Sequence, residues 1–569
     1  MAKNWIQREG GDSPSNLAEW AEKLEISETL INILWIRGLQ TPEEMQTFLS
    51  PFLKHLAPLC EWPGLEESAA VLAEGLLAGK KMAVWGDYDV DGVTSSAVVT
   101  QMLKEHGHEI IQHLPNRMEE GYGLNEAWIE RLAGQGVELL LTVDCGITDF
   151  APIARARELG MTVVVSDHHL PAETLPDANA ICNPRLSECP CPHLAGVGVA
   201  FFLMCALNSR LAEATGYRAD VRLLLDLVAL GTIADVVSLS GQNRVLVKNG
   251  LLVLAEGRRP GIAALKEVSN YAPGAAIEAG QVAFGLAPRI NAAGRMGKAD
   301  IALELLLTDS DERARELANE LNVMNEERKN EEERILEAAM EQAQAQEDQM
   351  GLVLYGEDWH SGVIGIVASR VVEKFYKPTL ILCSEGDKVK GSGRSIREFH
   401  LHEGLCQCED LLLGFGGHKL AAGMSLEKEN LDALRTRFNE IVIEAVGPNP
   451  LTATLKYDAD MGFELAADFT LLKELELLQP FGMGNSEPVF KSPTLLLKSR
   501  RIFARKHLKL ELLDLNSGIT LHAKAWRMVD EIPPSMEGRK LKLAYSPRID
   551  RYNGSATVDL KIKDWEFLP

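Results

Sequence analysis

Three aspartates at alternate positions stand in the segment Ala83-Val84-Trp85-Gly86-Asp87-Tyr88-Asp89-Val90-Asp91-Gly92. The segment starts as a short apolar run, turns at Gly86 and closes at Gly92. Residues 93–103 then read as a helix with Thr94, Ser95 and Ser96 as candidate caps. Alternate residues leaving a strand end project the same way, so Asp87 and Asp89 can converge on one hard cation. Asp91 reads as a cap or loop-orienting residue, and Gly92 serves backbone geometry. Acidic turns are more often solvated than metal-bearing, so partners elsewhere must decide.

Those partners recur at strand ends. Helices over 65–77, 94–106, 125–133 and 151–159 alternate with strands over 82–86, 109–114, 137–143 and 161–165. That alternation implies a doubly wound parallel sheet. The four strand ends carry Asp87 and Asp89, Arg117, Asp144, and His168 with His169. A further carboxylate, Asp235, interrupts the apolar stretch that begins at residue 221. It is a helix cap, a buried ion pair or a cation ligand. Aspartates and imidazoles together make a hard, mixed oxygen and nitrogen site. Such a set suits Mn²⁺ or Mg²⁺ better than structural zinc, which favours thiolates. So many carboxylates fit two cations and two-metal phosphoryl transfer.

The chain of 569 residues is 46% apolar and carries a net charge of -24, so several cores and roughly three to five domains are expected. A globally basic nucleic-acid binder is excluded. The nine cysteines are scattered, and neither Cys189-Pro190-Cys191 nor Cys406-Gln407-Cys408 has zinc-knuckle spacing. The first residues lack an apolar signal core, and no uncharged apolar run reaches membrane-spanning length. A soluble, cytoplasmic protein with reduced thiols and no membrane partner is expected.

Four segments together resemble the DHH phosphoesterase family. They are Gly86–Gly92, Thr142-Val143-Asp144-Cys145-Gly146-Ile147, Ser166-Asp167-His168-His169 and Gly231-Thr232-Ile233-Ala234-Asp235-Val236-Val237. The resemblance implies that Asp87, Asp89, Asp144, His168 and Asp235 are metal ligands, with His169 supporting the site or meeting the phosphate. The chain departs from part of the family at Trp85, where some members carry a histidine. The segment Leu286-Ala287-Pro288-Arg289-Ile290-Asn291-Ala292-Ala293-Gly294-Arg295 reads as a second polar loop. It resembles one that lines the DNA path in the exonuclease branch of the family, with Arg289, Asn291 and Arg295 as phosphate contacts. Arg117 is a similar candidate.

Residues 309–349 lack proline and glycine and hold 14 acidic against 5 basic side chains. A long solvated helix joining two domains is expected there. Three glycine-bearing turns follow, at Trp359–Arg370, Lys390–Ser395 and Gly414–Gly423. As a group they resemble the DHH-associated domain, whose Gly-Gly-His loop faces the metal site across a cleft. Ser361, Arg394 and His418 are its phosphate-binding candidates. From 451 the texture is all-β, with strands over 451–457, 488–498, 508–514, 519–526, 540–546 and 556–563 and turns such as Asn553-Gly554. That pattern fits an OB-fold. Seven basic residues and no acidic one lie between Lys491 and Lys509, with Phe503 and His507 interleaved. Arg501, Arg505 and Lys506 are DNA-contact candidates there, by backbone charge and base stacking. A solvated basic edge that blocks aggregation is the plainer reading of this cluster.

The expected architecture is α/β: a helical N-terminal segment (1–50), a doubly wound DHH domain (51–308) and a connecting helix (309–349). An α/β DHH-associated domain (350–447) and a C-terminal OB-fold β-barrel (448–569) follow. The resemblance implies a Mn²⁺- or Mg²⁺-dependent exonuclease that degrades single-stranded DNA from the 5′ end to mononucleotides in recombination and repair. A helicase and a single-strand-binding protein are family-level partners. Two other classes fit the motifs less fully: a DHH hydrolase of small nucleotides or pyrophosphate, and a non-catalytic single-strand-binding scaffold.

Overall fold

The computed structural model describes residues 3–11, 14–117, 119–186, 189–272, 274–529, 531–551 and 555–568. The turn expected at Asn553-Gly554 lies outside them. The chain divides into two compact units, one of residues 10–325 with 469–488, the other of 1–9, 326–468 and 489–569.

In the first unit, five parallel strands form one sheet: Met82–Trp85, Ile111–His113, Leu139–Val143, Thr162–Ser166 and Ala180–Cys182. In space their order is second, first, third, fourth, fifth. The chain therefore reverses direction across the sheet between the first and third strands, where a crevice opens at the carboxyl ends. Side chains alternate between two cores. Met82, Val84, Leu139, Leu141 and Val143 pack with helices Pro63–Leu77, Val90–Glu105 and Gly196–Thr215. Ala83, Trp85, Leu140, Val163 and Val165 pack with helices Glu126–Gly134 and Phe150–Glu158. Burial on both faces explains why these strands read as unbroken apolar runs.

Helix Gly196–Thr215 is long and apolar enough by composition to cross a membrane, yet 67% of that stretch is buried in this core. Further helices follow, including Leu225–Ala234, Gly241–Glu256 and Ala287–Arg295. The last occupies what the sequence suggested was a loop. Pro288 is its second residue, directly after a π-helical turn over Val282–Leu286. The N-terminal helices are as expected, and Thr41 caps Pro42–Leu49 in a full capping box with Glu44.

Helix Asp311–Ala345 is continuous over 35 residues, about 52 Å. Leu317, Leu321 and Met324 pack into the first unit's core, whereas Ile335, Ala339 and Ala343 pack into the second's.

In the second unit, one sheet runs Gly414–Gly417, Ala421–Glu427, Lys388–Arg394, Thr379–Glu385 and Leu352–Gly356, antiparallel except for the last pair. Helices Ile364–Phe375 and Leu431–Val446 pack against it. The other body is a closed barrel in which Lys540–Asp550, Leu495–Phe503, His507–Asp514, Thr520–Ala525 and Thr557–Phe567 pair in a ring. Five closed strands are the OB-fold arrangement.

Two expectations differ from this picture. The strand expected over 451–457 is no part of the barrel. Its residues Thr454–Tyr457 pair in parallel with an N-terminal strand, Asn4–Gln7. Residues 469–488, expected within the C-terminal domain, pack instead in the first unit.

Candidate metal centre

The first strand turns sharply into the next helix, and glycine makes the turn possible. A Cβ on Gly92 would lie 2.4 Å from the Asp87 amide nitrogen. Asp89 is the N-cap, its Oδ1 accepting from the amides of Asp91 (2.8 Å) and Gly92 (3.2 Å). The helix thus begins at Val90. Thr94, Ser95 and Ser96 are buried inside it, and the Thr94 hydroxyl donates to the Val90 carbonyl at 2.8 Å. Asp91 is fully buried and receives the amides of Gly196 (2.6 Å) and Val197 (2.9 Å), the first turn of helix Gly196–Thr215. It therefore ties two helices together behind the site. A carboxylate at a helix N-terminus is favoured by the helix dipole.

Asp144 follows the third strand with φ 61°, a left-handed conformation costly outside glycine and typical of functional positions. The next strand delivers Asp167, His168 and His169. Asp167 accepts from the amides of Ile147 (3.0 Å), His168 (2.7 Å) and His169 (3.1 Å), and from His169 Nδ1 (2.8 Å). Burial would raise its pKa, but these bonds and the His169 charge hold it below the usual carboxylate value. Its acceptor capacity is spent on shaping the turn.

The two histidines differ. His168 Nδ1 faces the Leu194 carbonyl at 3.1 Å, so the proton sits on Nδ1 and Nε2 is left as a lone-pair donor. Burial and the neighbouring His169 charge push its pKa down to about 4, so it is neutral. His169 is opposed by burial, but the hydrogen bond and charge of Asp167, with Asp91 and Asp87, raise its pKa overall. Of the two it is the one whose charged form the surroundings favour.

Asp235 lies at the end of helix Leu225–Ala234. Its Oδ2 is 3.8 Å from His168 Nε2, and Asp144 Oδ1 is 3.2 Å from the same nitrogen. Three overlapping sets bring donor atoms within 4.8 Å of one another: Asp87 with Asp89 and Asp144, Asp91 with His168 and Asp235, and Asp144 with His168 and His169. Burial first, and neighbouring carboxylates second, raise Asp87 to about 8 and Asp235 to about 9. Asp144 rises for the same reasons. Asp87 Oδ1, Asp144 Oδ1, His168 Nε2 and Asp235 Oδ2 are buried with no hydrogen-bond partner. Buried polar atoms are nearly always satisfied. Four such atoms, spread over these overlapping sets, therefore fit hard divalent cations by atom type and by charge. Trp85 points away from this cluster, into the opposite core with its ring 4.3 Å from that of His113.

A cavity of about 300 Å³ opens over these atoms, lined by Asp87, Asp89, Asp144, His169, Asp235, Arg117, Asn291, Arg295, Tyr88 and Tyr122. Arg117 stacks over Tyr88 at 5.2 Å. Glu120 anchors its loop by accepting from the Asn116 amide (2.8 Å) and Asn125 Nδ2 (3.0 Å) and by meeting His113 Nε2 (3.1 Å). Tyr122, which sequence reasoning missed, places its hydroxyl 3.3 Å from His169 Nδ1.

Arg289 is corrected from a phosphate contact to a structural residue. It is buried and donates to Gly285 O (2.6 Å), Val268 O (3.0 Å) and Asn322 Oδ1 (3.0 Å). Ser361, Arg394, His418, Arg501, Arg505 and Lys506 belong to the second unit. There Arg394 is half-buried, donating to Ser392 Oγ (3.2 Å) and Gly393 O (2.8 Å). His418 stands exposed in the hairpin after Gly414–Gly417, and Ser361 lies in the turn before helix Ile364–Phe375. Arg501, Arg505 and Lys506 are exposed on the barrel hairpin, where Ala504 and Arg505 take positive φ of 46° and 63°.

Residues 81–232 match the model of the DHH family N-terminal domain, 348–444 the DHHA1 domain and 457–564 the RecJ OB domain. The chain is 38% identical to the single-stranded-DNA-specific exonuclease RecJ of Dickeya dadantii, covering 93% of this chain and 94% of that protein. It is 36% identical to the Escherichia coli protein of the same name, covering 95% and 96%. The chain belongs to the RecJ family. The structure of Thermus thermophilus RecJ in complex with Mn²⁺ superposes with TM-score 0.83 at 32% identity, covering 100% of this chain and 80% of that one. Its complex with Mg²⁺ gives 0.76.

In this RecJ-family chain, residues far along the sequence hold the metal centre. Val236, next to Asp235, has φ 61°, and the backbone beyond it is gripped by the Pro480–Asn485 turn. The Leu239 amide donates to the Met483 carbonyl at 2.8 Å. Gly484, at φ 71°, lies so close that a Cβ would be 2.0 Å from Ser238 Oγ. Asn485 braces the turn by donating to Leu478 O and Pro480 O, both at 2.8 Å, and accepts from Arg37. Arg244 donates to the carbonyls of Leu477, Leu478 and Gln479. Asn243 joins Ser238 O (3.0 Å) to His193 O (2.6 Å), one residue before the Leu194 carbonyl that orients His168.

Two outcomes follow from this geometry. Asp235→Asn removes a carboxyl that burial and its neighbours keep from ionising at a cost to the fold, so it should raise the melting temperature in EDTA while abolishing the rise that Mn²⁺ gives the native chain. Differential scanning calorimetry with and without Mn²⁺ checks both. Gly484→Ala should displace Ser238 and weaken Mn²⁺ binding by about tenfold, read by electron paramagnetic resonance titration; unchanged Mn²⁺ affinity would refute the clasp.

Proposed function

We propose that this chain is a divalent-metal-dependent exonuclease that degrades single-stranded DNA from the 5′ end, releasing mononucleotides, in DNA recombination and repair. The observation that carries this reading is the set of orphaned buried donors from Asp87, Asp144, His168 and Asp235 beneath a cavity rimmed by Arg117, Asn291 and Arg295. An acidic floor with a basic rim suits a phosphodiester bridged to metal. The relatives named as single-stranded-DNA-specific exonucleases, matched over nearly the whole chain, support the same substrate.

Asp87, Asp89, Asp144, His168 and Asp235 would hold Mn²⁺ or Mg²⁺. When bound, a pair of such ions supplies water activation and charge neutralisation at the phosphate. The chain's own groups do the rest. Neutral His168 offers Nε2, its tautomer fixed by Leu194. His169, pinned by Asp167, which favours its charged form, offers its other ring nitrogen to a phosphate oxygen. Arg117, Arg295 and Asn291 bind non-bridging oxygens and offset charge that grows as the phosphorus is attacked. Ser361, Arg394 and His418 remain phosphate candidates on the DHHA1 part.

The barrel adds a grip on the strand. Phe503, His507 and Trp526 form an open aromatic cluster, with ring centroids 4.7 to 5.6 Å apart. His507 Nδ1 accepts the Arg527 amide at 2.9 Å, which fixes the ring. Arg501, Arg505, Lys506 and Lys509 surround it in sequence. Rings beside cations suit unpaired bases and their backbone. This platform favours a polymer over a small nucleotide or pyrophosphate as substrate. A helicase and a single-strand-binding protein, presenting such strands in the cytoplasm, complete the proposal.

Strands labelled at one end or the other, incubated with Mn²⁺, Mg²⁺ or EDTA, test the activity. The 5′ label should leave first as a mononucleotide, and both EDTA and Asp89→Ala should stop its release. Turnover of small phosphodiesters without DNA cleavage would overturn the reading. Trp526→Ala should weaken single-strand binding by about 5- to 150-fold, the worth of one stacked base, as read by fluorescence anisotropy.

A further inference from the structure

The element that supplies Asn291 and Arg295 to the cavity begins in an unusual way. Val282–Leu286 winds as a π-helix and passes without a break into helix Ala287–Arg295. Single π turns inside helices are rare and concentrate at functional sites. From 284 to 295 the positions open to solvent are Phe284, Pro288, Asn291 and Arg295, and every other residue is buried. Steps of four, three and four place them on one helical face. Two members of that stripe line the metal cavity.

The stripe ends in Phe284, which is 85% exposed, the most exposed large apolar side chain among the described residues. The backbone beneath it is rigid. A Cβ on Gly285 would lie 2.7 Å from the Tyr271 ring, so the chain is packed tightly there. Arg289 takes the Gly285 carbonyl at 2.6 Å and the Val268 carbonyl at 3.0 Å. A ring held out into water on a fixed turn is a surface awaiting a flat apolar partner.

We propose that Phe284 is a stacking post for the single strand on its way into the metal cavity. This rests on the nuclease reading above and extends it to a binding residue. Continuity decides the occupant: the same face carries amide and guanidinium groups suited to phosphate, then a ring suited to a base. Phe284 lies seven residues from Asn291, about 10 Å along the helix. That distance spans about three stacked nucleotides at 3.4 Å each. The base on Phe284 is therefore a few nucleotides from the bond being cut, beyond the reach of a dinucleotide.

The test compares a strand of roughly 20 nucleotides with a dinucleotide on the full-length protein in Mn²⁺. Phe284→Ala should raise the KM for the long strand by about tenfold more than that for the dinucleotide, with kcat for the long strand held within about twofold, the scale of one lost stack. Phe284→Trp should restore the KM, and its added fluorescence over the native chain should be quenched by the long strand only. Equal KM changes for the two substrates, or none, overturn the proposal while leaving the nuclease reading intact. So does a Phe284→Ala effect confined to self-association or protein binding. Absence of turnover of either substrate by the native chain would sink both.

Discussion

Carboxylates that must be withdrawn from water beside one another are the constraint on which this structure depends. Asp87, Asp91, Asp144 and Asp235 are driven toward their neutral forms first by burial and then by neighbouring carboxylates, Asp89 among them. Left to itself such a cluster would spread. Each carboxylate is instead held in place by a different part of the fold. The turn at Gly92 fixes Asp87, helix Gly196–Thr215 grips Asp91, a left-handed residue presents Asp144, and the Pro480–Asn485 turn braces the chain after Asp235. Rigidity of this kind keeps donors poised for a cation at the cost of the stability that relaxation would bring.

Close backbone approach is the means. A Cβ on Gly196 would lie 2.5 Å from Asp144 Oδ1, and one on Gly231 would lie 2.2 Å from Thr94 Oγ1 and 3.1 Å from Asp91 Oδ1. These glycines are places where helices touch the acidic cluster directly. Neighbouring histidines are then divided by their second contacts. Burial and the charge beside it push the His168 pKa down while the Leu194 carbonyl orients its ring, and the Asp167 carboxylate raises that of His169. The same residue type is thus placed in two different electrostatic settings with ring centres 4.5 Å apart.

Much of this was legible in the sequence because it is local. Strand ends, the acidic turn and the Asp-His-His run obey short-range rules of period and turn chemistry, and the parallel sheet follows from the alternation of elements. Arg289 and Arg295 could not be told apart that way. Both are arginines on one helix, and only packing turns one into the protein and the other into the cavity. The helix 287–295 was hidden by its proline and glycine, which read as loop punctuation, although Pro288 continues a π-helical turn. The pairing of Asn4–Gln7 with Thr454–Tyr457 joins segments some 450 residues apart, beyond any window of periodicity. The role of Gly484 is of the same kind. Its positive φ is a turn signal, but its contact with Ser238 is tertiary. Trp526 escaped notice because its partners Phe503 and His507 lie on another hairpin arm.

Charge explains how an acidic chain can handle DNA and why single strands suit it. The net charge of -24 repels nucleic acid over most of the surface. Even the basic hairpin is partly offset, since Lys498 meets Glu511 at 2.8 Å and Lys506 meets Glu333 at 3.5 Å. A grip of that kind gains little from backbone charge, which duplex and single strand both offer. On the proposed reading it gains from the half-buried rings of Phe503 and His507, the exposed ring of Trp526, and Phe284 on the other unit. A duplex hides its base faces in its own stack, whereas a single strand presents them. On the proposed reading, weak net attraction combined with aromatic posts would select for unpaired bases, and the basic rim of the metal cavity would act only on the phosphate delivered to it.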